Sequence, residues 1–196
     1  MAASLSVAAD DPAAAGWHQG GCRALFLDRD GVINVNHGYV HTPDKTDWID
    51  GIFDLAASAR TAGFVLVVVT NQAGIGRGYY TDAQFREYTR WMHGVFSERG
   101  VPLLATYYCP DHPEAVSPEY RRDSGCRKPQ PGMLLAAARD WDIDLSASVL
   151  VGDQPGDIEA ALRAGVGARF LAADGRFGEV LAWFASATNP AHCAAD

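Results

Sequence analysis

Three shortages narrow the class of protein before any motif is read. The chain has only four cysteines, Cys22, Cys109, Cys126 and Cys193, in 196 residues. Two flank one loop and two lie toward the ends, which is no disulfide framework for this length and fits a reducing compartment. Basic residues are outnumbered, and the formal charge of −8 argues against a protein that grips nucleic acid through a basic field. That balance leaves room for a small anionic substrate, because a local metal or Lys/Arg pair overrides the global sign. No apolar run approaches a membrane span. Residues 1–22 lack both the basic start and the sustained apolar stretch of an export signal. They are rich in Ala, Gly and Asp, and the expectation is a disordered tail. A cytoplasmic protein with no membrane or nucleic-acid partner follows as the expectation. With no internal repeat and no interior linker, the chain reads as one domain over 23–188, followed by a short tail at 189–196.

What is present alternates. Residues 24–27, 64–69, 104–108, 148–151 and 168–171 are short apolar, largely β-branched or aromatic runs, as expected for strands buried on both faces. Between them lie helical patterns: Ile52, Leu55, Ala56 and Ala59 before Gly63; Phe85, Tyr88, Met92, Val95 and Phe96 after a Thr81-to-Gln84 capping box; Met133, Leu134, Leu135 and Ala138 after Pro131; Ile158, Ala161 and Leu162 before Gly165. An amphipathic helix around 180–184 closes the chain. Trp91 and His93 read as packing and surface residues of their helix. Gly74, Gly76 and Gly78 lack the spacing of a nucleotide fingerprint and read as a flexible turn. The alternation predicts an α/β fold, a three-layer, doubly wound Rossmann-like arrangement around a mainly parallel sheet.

Three strands end in polar groups. Asp28 and Asp30 follow the first, Thr70 and Asn71 the second, Gly152 and Asp153 the fourth, and a loop supplies Arg127 and Lys128. In a parallel sheet these ends share one edge, the edge at which open α/β sheets bind ligands. Residues two apart in extended chain point the same way, so Asp28 and Asp30 meet, and like charges that close call for a cation or a shared proton. Oxygen-only ligands suit Mg²⁺. A carboxylate can act as nucleophile toward phosphorus, with a lysine and strand-end groups neutralising the transferred oxygens. The reaction class these parts serve is phosphoryl transfer. The stretch of about 20 residues from 31 to 50 is long for a compact domain, and Asn36, His37, Gly38 and Tyr39 within it form a candidate substrate flap or, as readily, a surface excursion.

Asp28-Arg29-Asp30-Gly31-Val32, Thr70-Asn71, Lys128 and Gly152-Asp153-Gln154-Pro155-Gly156-Asp157 together resemble the four motifs of the haloacid-dehalogenase-like phosphatases. Within that family, 70–75, 107–110 and 126–129 are similar to the branch of heptose 1,7-bisphosphate 7-phosphatases and histidinol-phosphate phosphatases. The resemblance spans residues 24–172 and implies the fold without a large cap domain. It also implies roles. Asp28 becomes the nucleophile that forms an aspartyl-phosphate. Asp30 becomes the acid and then the base, which requires a poised carboxyl. Thr70 and Lys128 hold the phosphoryl group. Mg²⁺ is held by Asp28, the Asp30 carbonyl and Asp153, with Asp157 behind them. Asn36, His37, Gly38, Tyr39, Asn71, Gln72, Ala73, Arg127 and Gln154 are implied to contact the substrate, Arg127 through a planar fork suited to a second phosphate.

One departure matters. The branch carries a structural zinc loop with four Cys and His ligands, whereas the matching positions here are Cys109, Asp111, Ser124 and Cys126. Structural zinc favours a closed nitrogen and sulfur set. The expectation is a loop without zinc, although His112 and Asp111 offer substitutes. The leading function is a Mg²⁺-dependent, monomeric phosphatase that removes the 7-phosphate of a heptose bisphosphate in surface-polysaccharide synthesis. A histidinol-phosphate phosphatase and a catalytically silent sugar-phosphate-binding module are the alternatives. A polynucleotide 3′-phosphatase is disfavoured by charge.

Overall fold

The computed structural model describes residues 5–18, 21–173 and 175–187. The uninterrupted apolar runs form the strands at the middle of one six-stranded sheet. In chain order the strands are β1 (Leu5–Ala8), β2 (Arg23–Leu27), β3 (Phe64–Asn71), β4 (Leu103–Cys109), β5 (Val149–Gly152) and β6 (Ala168–Leu171). Their order across the sheet is β1-β4-β3-β2-β5-β6, and every pairing is parallel except β1 with β4. The helices are α1 (Ile52–Thr61), the single turn α2 (Ala73–Gly76), α3 (Asp82–Glu98), α4 (Gly132–Trp141), α5 (Pro155–Ala164) and α6 (Gly178–Ala187).

The strand period of two sorts the core. Leu25, Leu27, Leu66 and Val68 face one side, where α1, α3 and α6 bring Leu55, Ala59, Met92, Phe96 and Phe184. Phe26, Val65, Val67 and Val69 face the other, against Met133, Leu134 and Ala137 of α4 and Ala160 and Ala161 of α5. The expected three layers are therefore present. The α3 capping box is also present: the Thr81 hydroxyl accepts from Gln84 N at 3.2 Å, and Gln84 Oε1 accepts from Thr81 N at 2.8 Å.

The expected disordered tail at 1–22 needs correction. Residues 5–8 form β1, pairing Leu5 with Tyr108 and Ala8 with Ala105, and so cover the outer edge of β4, which would otherwise present unpaired backbone groups. After it, Ala15 is buried, Trp17 packs edge-on to Trp141 and its indole donates to Trp141 O at 2.8 Å. Leu5-Ser6-Val7 is too short an alternation to stand out in an alanine-rich segment; its strand form is dictated by the edge it meets. Cys193 and the expected tail at 189–196 lie outside the described residues.

The topology puts the functional ends together. β2 is flanked by β3 and β5, and the chain crosses from one side of it to the other, which makes β2 the switch point where open α/β sheets leave a crevice. Leu27 stands level with Val68 and Val151, so Asp28, Thr70 and Asp153 leave neighbouring strands at similar heights.

Candidate active site

A cavity of about 510 Å³ opens at this edge, lined by Asp28, Asp30, Thr70, Lys128, Asp153 and Asp157 at its floor and by Asn36, Gly38, Tyr39, Asn71, Gln72, Ala73 and Gln154 around them. Lys128 is the hub of the floor. Its ammonium donates to Asp28 Oδ1 at 2.6 Å and to Val69 O at 2.8 Å, and it lies 2.6 Å from Asp157 Oδ1. All three N–H donors are thereby directed. Burial opposes the charge on Lys128, but Asp28 and Asp157 more than offset it and its pKa is raised. One ammonium shared by two carboxylates does not fully balance either. Burial accordingly pushes the Asp28 carboxyl up to about 7, Lys128 pulls it back, and the negative charges of Asp157 and Asp30 raise it again.

Asp30 is anchored by donors from three directions. The buried Arg29 bonds both of its oxygens, at 2.8 and 2.7 Å; Asn34 Nδ2 donates at 3.0 Å and Gln72 Nε2 at 3.2 Å. Arg29 lies over the rings of Phe85 and Tyr88, so a fully buried guanidinium is held by one carboxylate, one backbone carbonyl and two aromatic faces.

The floor fits a divalent cation. Carboxylate oxygens of Asp28, Asp153 and Asp157 converge within 4.8 Å of one another, and buried Asp153 Oδ1 has no hydrogen-bond partner. Four carboxylates face one ammonium and one guanidinium, which leaves a formal charge of −2 for a cation to meet. The donors are all oxygen, as Mg²⁺ prefers. Asp157 is the weakest candidate ligand, because its oxygens are already taken by Lys128 and by Gln154 N at 3.0 Å. Two glycines make the approach possible. A Cβ on Gly31, which has φ +98°, would fall 2.4 Å from Asp153 Oδ2, and one on Gly152 would fall 2.3 Å from the Asp157 Cβ.

Not every residue singled out from the sequence meets the cavity. Asn36, Gly38 and Tyr39 do, whereas His37 turns out to the surface and pairs with Asp47 at 2.7 Å. Asn71 clamps the backbone of Lys128 from both sides, accepting from Lys128 N at 3.0 Å and donating to Lys128 O at 3.1 Å. Gln72 is buried, and its amide is satisfied by Asp30, Thr70 and Tyr80. Both therefore hold other cavity residues in place as well as lining the wall. Arg127 stands outside the lining, at the rim. The glycine stretch expected to be a flexible turn is the ordered α2, with Gly74 and Gly76 buried. The residues that sequence reasoning passed over are Arg29, which holds Asp30, and Tyr80, which lines the cavity. Only Arg29, charged in the middle of a motif that ends a buried strand, carried a readable signal.

The loop between β4 and α4 brings the four expected positions together. The Cys109 and Cys126 thiols and the Asp111 carboxylate lie within 4.8 Å of one another, and Ser124 Oγ is 2.9 Å from Cys126 Sγ. His112 is not among them: its Nδ1 accepts from Glu114 N at 3.0 Å. Asp111 pairs instead with Arg122 at 3.0 Å. The Cys109 thiol donates to Ser124 Oγ at 3.9 Å, and the closeness of the two thiols raises Cys109 and lowers Cys126 to about 7.

A family model described as HAD-hydrolase-like matches residues 125–195. The D-glycero-alpha-D-manno-heptose-1,7-bisphosphate 7-phosphatase of Burkholderia mallei is 53% identical over 152 residues, covering 78% of this chain and 80% of that protein. The D-glycero-beta-D-manno-heptose-1,7-bisphosphate 7-phosphatase of Escherichia coli K12 is 50% identical, with the same coverage. Among solved structures, one described as a HAD-like phosphatase from Mesorhizobium loti superposes with a TM-score of 0.82 at 30% identity, covering 96% of both chains. The D,D-heptose 1,7-bisphosphate phosphatase of B. bronchiseptica, complexed with magnesium and phosphate, gives 0.68 at 33% identity over 82% of this chain and 86% of that one.

Proposed function

The chain belongs to the heptose-1,7-bisphosphate 7-phosphatases, a branch of the haloacid-dehalogenase-like hydrolases, and from that premise we propose how its own residues remove the 7-phosphate of D-glycero-D-manno-heptose 1,7-bisphosphate. The observation that carries the reading is the floor itself, where Lys128 bridges Asp28 and Asp157 beside Asp30, Thr70 and Asp153. An Asp28 oxygen attacks phosphorus as the bond to the sugar oxygen breaks. Asp30, held by Arg29, Asn34 and Gln72, gives its proton to the departing sugar oxygen. It then takes a proton from the water that attacks the aspartyl-phosphate, releasing phosphate and restoring Asp28. Thr70 and Lys128 face the phosphoryl oxygens. Asp28, the Asp30 carbonyl and Asp153 would hold Mg²⁺, which when bound supplies positive charge against the transferred group. Asp157 keeps Lys128 in place.

Around that floor, Asn36, Gly38, Tyr39, Ala73 and Gln154 line the space for the heptose, and Arg127 offers a fork for the remaining phosphate. Histidinol phosphate is the weaker reading: an amino alcohol calls for carboxylates at the rim, and the rim is basic. The β4–α4 loop is proposed to stand without zinc, because Ser124 is a neutral ligand and Asp111 is engaged by Arg122. Metal analysis of the purified protein tests this, and one zinc per chain would overturn it. A monomer in the cytoplasm is the proposed setting; among the described residues no helix is long and apolar enough to cross a membrane. Phosphate release from both heptose bisphosphate anomers, histidinol phosphate and fructose 1,6-bisphosphate, with and without Mg²⁺, tests the substrate. Fast turnover of histidinol phosphate with slow turnover of both heptose bisphosphates would sink the reading.

A further inference from the structure

Arg77 follows α2, a single turn that its glycines allow to seat tightly. A Cβ on Gly76 would come within 2.7 Å of Pro110 O and 3.0 Å of the Ala115 Cβ, so only glycine lets α2 lie against the β4–α4 loop there. A backbone bond from Ser117 N to Gly76 O, 3.1 Å, fixes the contact. Arg77 is thereby brought to the rim. Its Nη1 donates to the Tyr39 hydroxyl at 2.5 Å, and its Nη2 stands 3.4 Å from His112 Nε2. Tyr39 lines the cavity, holds a positive φ of 56°, and packs its ring on Tyr79 at 4.4 Å. Two residues after α2 therefore grip the one flap aromatic that walls the substrate space.

The charges at this rim are unbalanced. The nearest carboxylate to Arg77 is the exposed Glu114 at 3.9 Å, and Arg127 has no ion pair among the described residues. Arg127 donates only a long 3.4 Å bond to Asp111 O. Burial depresses Arg127 and the neighbouring charge of Arg77 adds to it; His112 is likewise lowered by burial, Arg127 and Arg77. Two guanidiniums and an imidazole thus crowd the Tyr39 side of the cavity with no tight counter-ion. Arg29 and Arg122, by contrast, each hold a carboxylate within 3.0 Å.

We propose that Arg77 and Arg127 together form a two-guanidinium site for the phosphate remote from the scissile bond, with the Tyr39 hydroxyl aiming Arg77 into it. The proposal rests on the reading that the substrate carries two phosphates. Arg77 is a specificity-determining residue in it, and Tyr39 positions Arg77. A phosphate oxygen accepts from the N–H groups of Arg77 that the Tyr39 hydroxyl leaves free, and replaces the weak carbonyl contact of Arg127, which gives both forks charge-assisted bonds.

The test compares kcat and KM on heptose 1,7-bisphosphate and on heptose 7-phosphate for wild type, Arg77→Ala, Arg77→Lys and Tyr39→Phe. Arg139→Ala, an exposed charge removed from α4, controls for net charge. Arg77→Ala is expected to lower the preference for the bisphosphate by about 10- to 100-fold, carried in KM, as loss of a charge-assisted contact predicts. Arg77→Lys should recover part of it, because charge remains but the fork is lost, and Tyr39→Phe should lose less than Arg77→Ala. Arg139→Ala should keep the wild-type preference. A wild type that does not prefer the bisphosphate would sink the substrate reading. A wild-type preference that survives both Arg77 variants, or an equal fall on both substrates, would sink the Arg77 site alone. Should Arg77→Ala not fold, the lysine variant decides.

Discussion

At the floor of the cleft, Lys128 lies 2.6 Å from both Asp28 and Asp157, and Arg29 holds Asp30 at 2.7 Å. At the rim, Arg77 finds its nearest carboxylate at 3.9 Å, and Arg127 reaches only a backbone carbonyl. The floor is built from strand ends whose positions are locked by the sheet; the rim is built from α2, the flap and the β4–α4 loop. A preorganised floor serves chemistry common to any phosphate monoester, because aligned charges cost no reorganisation during the reaction. Cations left without tight partners at the rim are available to a particular ligand, and what fills them distinguishes one sugar phosphate from another.

Substitutions can break that division or sharpen it. The largest effect belongs to Asp28→Asn, which removes the proposed nucleophile and should lower kcat at least ~10³-fold on every substrate, the bisphosphate and a small generic ester alike. An effect confined to the bisphosphate would move Asp28 from floor to rim. Lys128→Met strands two buried carboxylates, and breaking a buried ion pair from one side costs roughly 3–5 kcal/mol. Urea denaturation without Mg²⁺ should therefore show a lower midpoint, beside a loss of kcat on all substrates.

His93 separates the scaffold from both regions. It is partly buried on α3, bonded to Thr106 Oγ1 at 2.9 Å, and desolvation lowers its pKa to about 4 against a small opposing pull from Asp10. In the unfolded chain the imidazole protonates below its ordinary value near 6.5, while in the folded chain it resists until about pH 4. Its contribution is thus complete above pH 6.5 and is lost as pH falls to 4, by up to about 3 kcal/mol. Denaturation midpoints across that window should drop less steeply in His93→Gln, and an unchanged slope would show that His93 is not the cause.

Mg²⁺ sharpens the floor without any turnover. At about 100-fold over its dissociation constant it should stabilise the fold by about 2.7 kcal/mol. The rise in Tm should vanish in Asp153→Asn, whose buried Oδ1 awaits a partner. The smallest effect is expected from Arg127→Ala, about 10-fold in KM for the bisphosphate with kcat nearly kept. A fall in kcat on a monophosphate as large as on the bisphosphate would show that the loop presenting Lys128 had moved with it.

Legibility followed the same line between floor and rim. Strand runs, helix starts and the polar strand ends at Asp28, Thr70 and Asp153 could be read directly, because a buried strand and its terminus are local patterns. Asn71 and Gln72 were found but given to the sugar, since a motif cannot say that an amide clamps Lys128 or bonds Asp30. His37 was included because it adjoins Asn36 and Gly38, yet one residue along an irregular loop is enough to face Asp47 instead. β1 was missed, because its partner edge is a hundred residues away.

The sequence by itself determined the layered fold, the floor and the chemistry, since these rest on periodicity and on side chains carried to one sheet edge by parallel strands. Only the tertiary structure decided which cations stand together at the rim. Arg77 meets Tyr39, 38 residues earlier, and His112, 35 residues later, through a loop contact that a side chain on Gly76 would block. Contacts between irregular segments have no period to betray them; they exist only once the sheet has brought the segments to the same place.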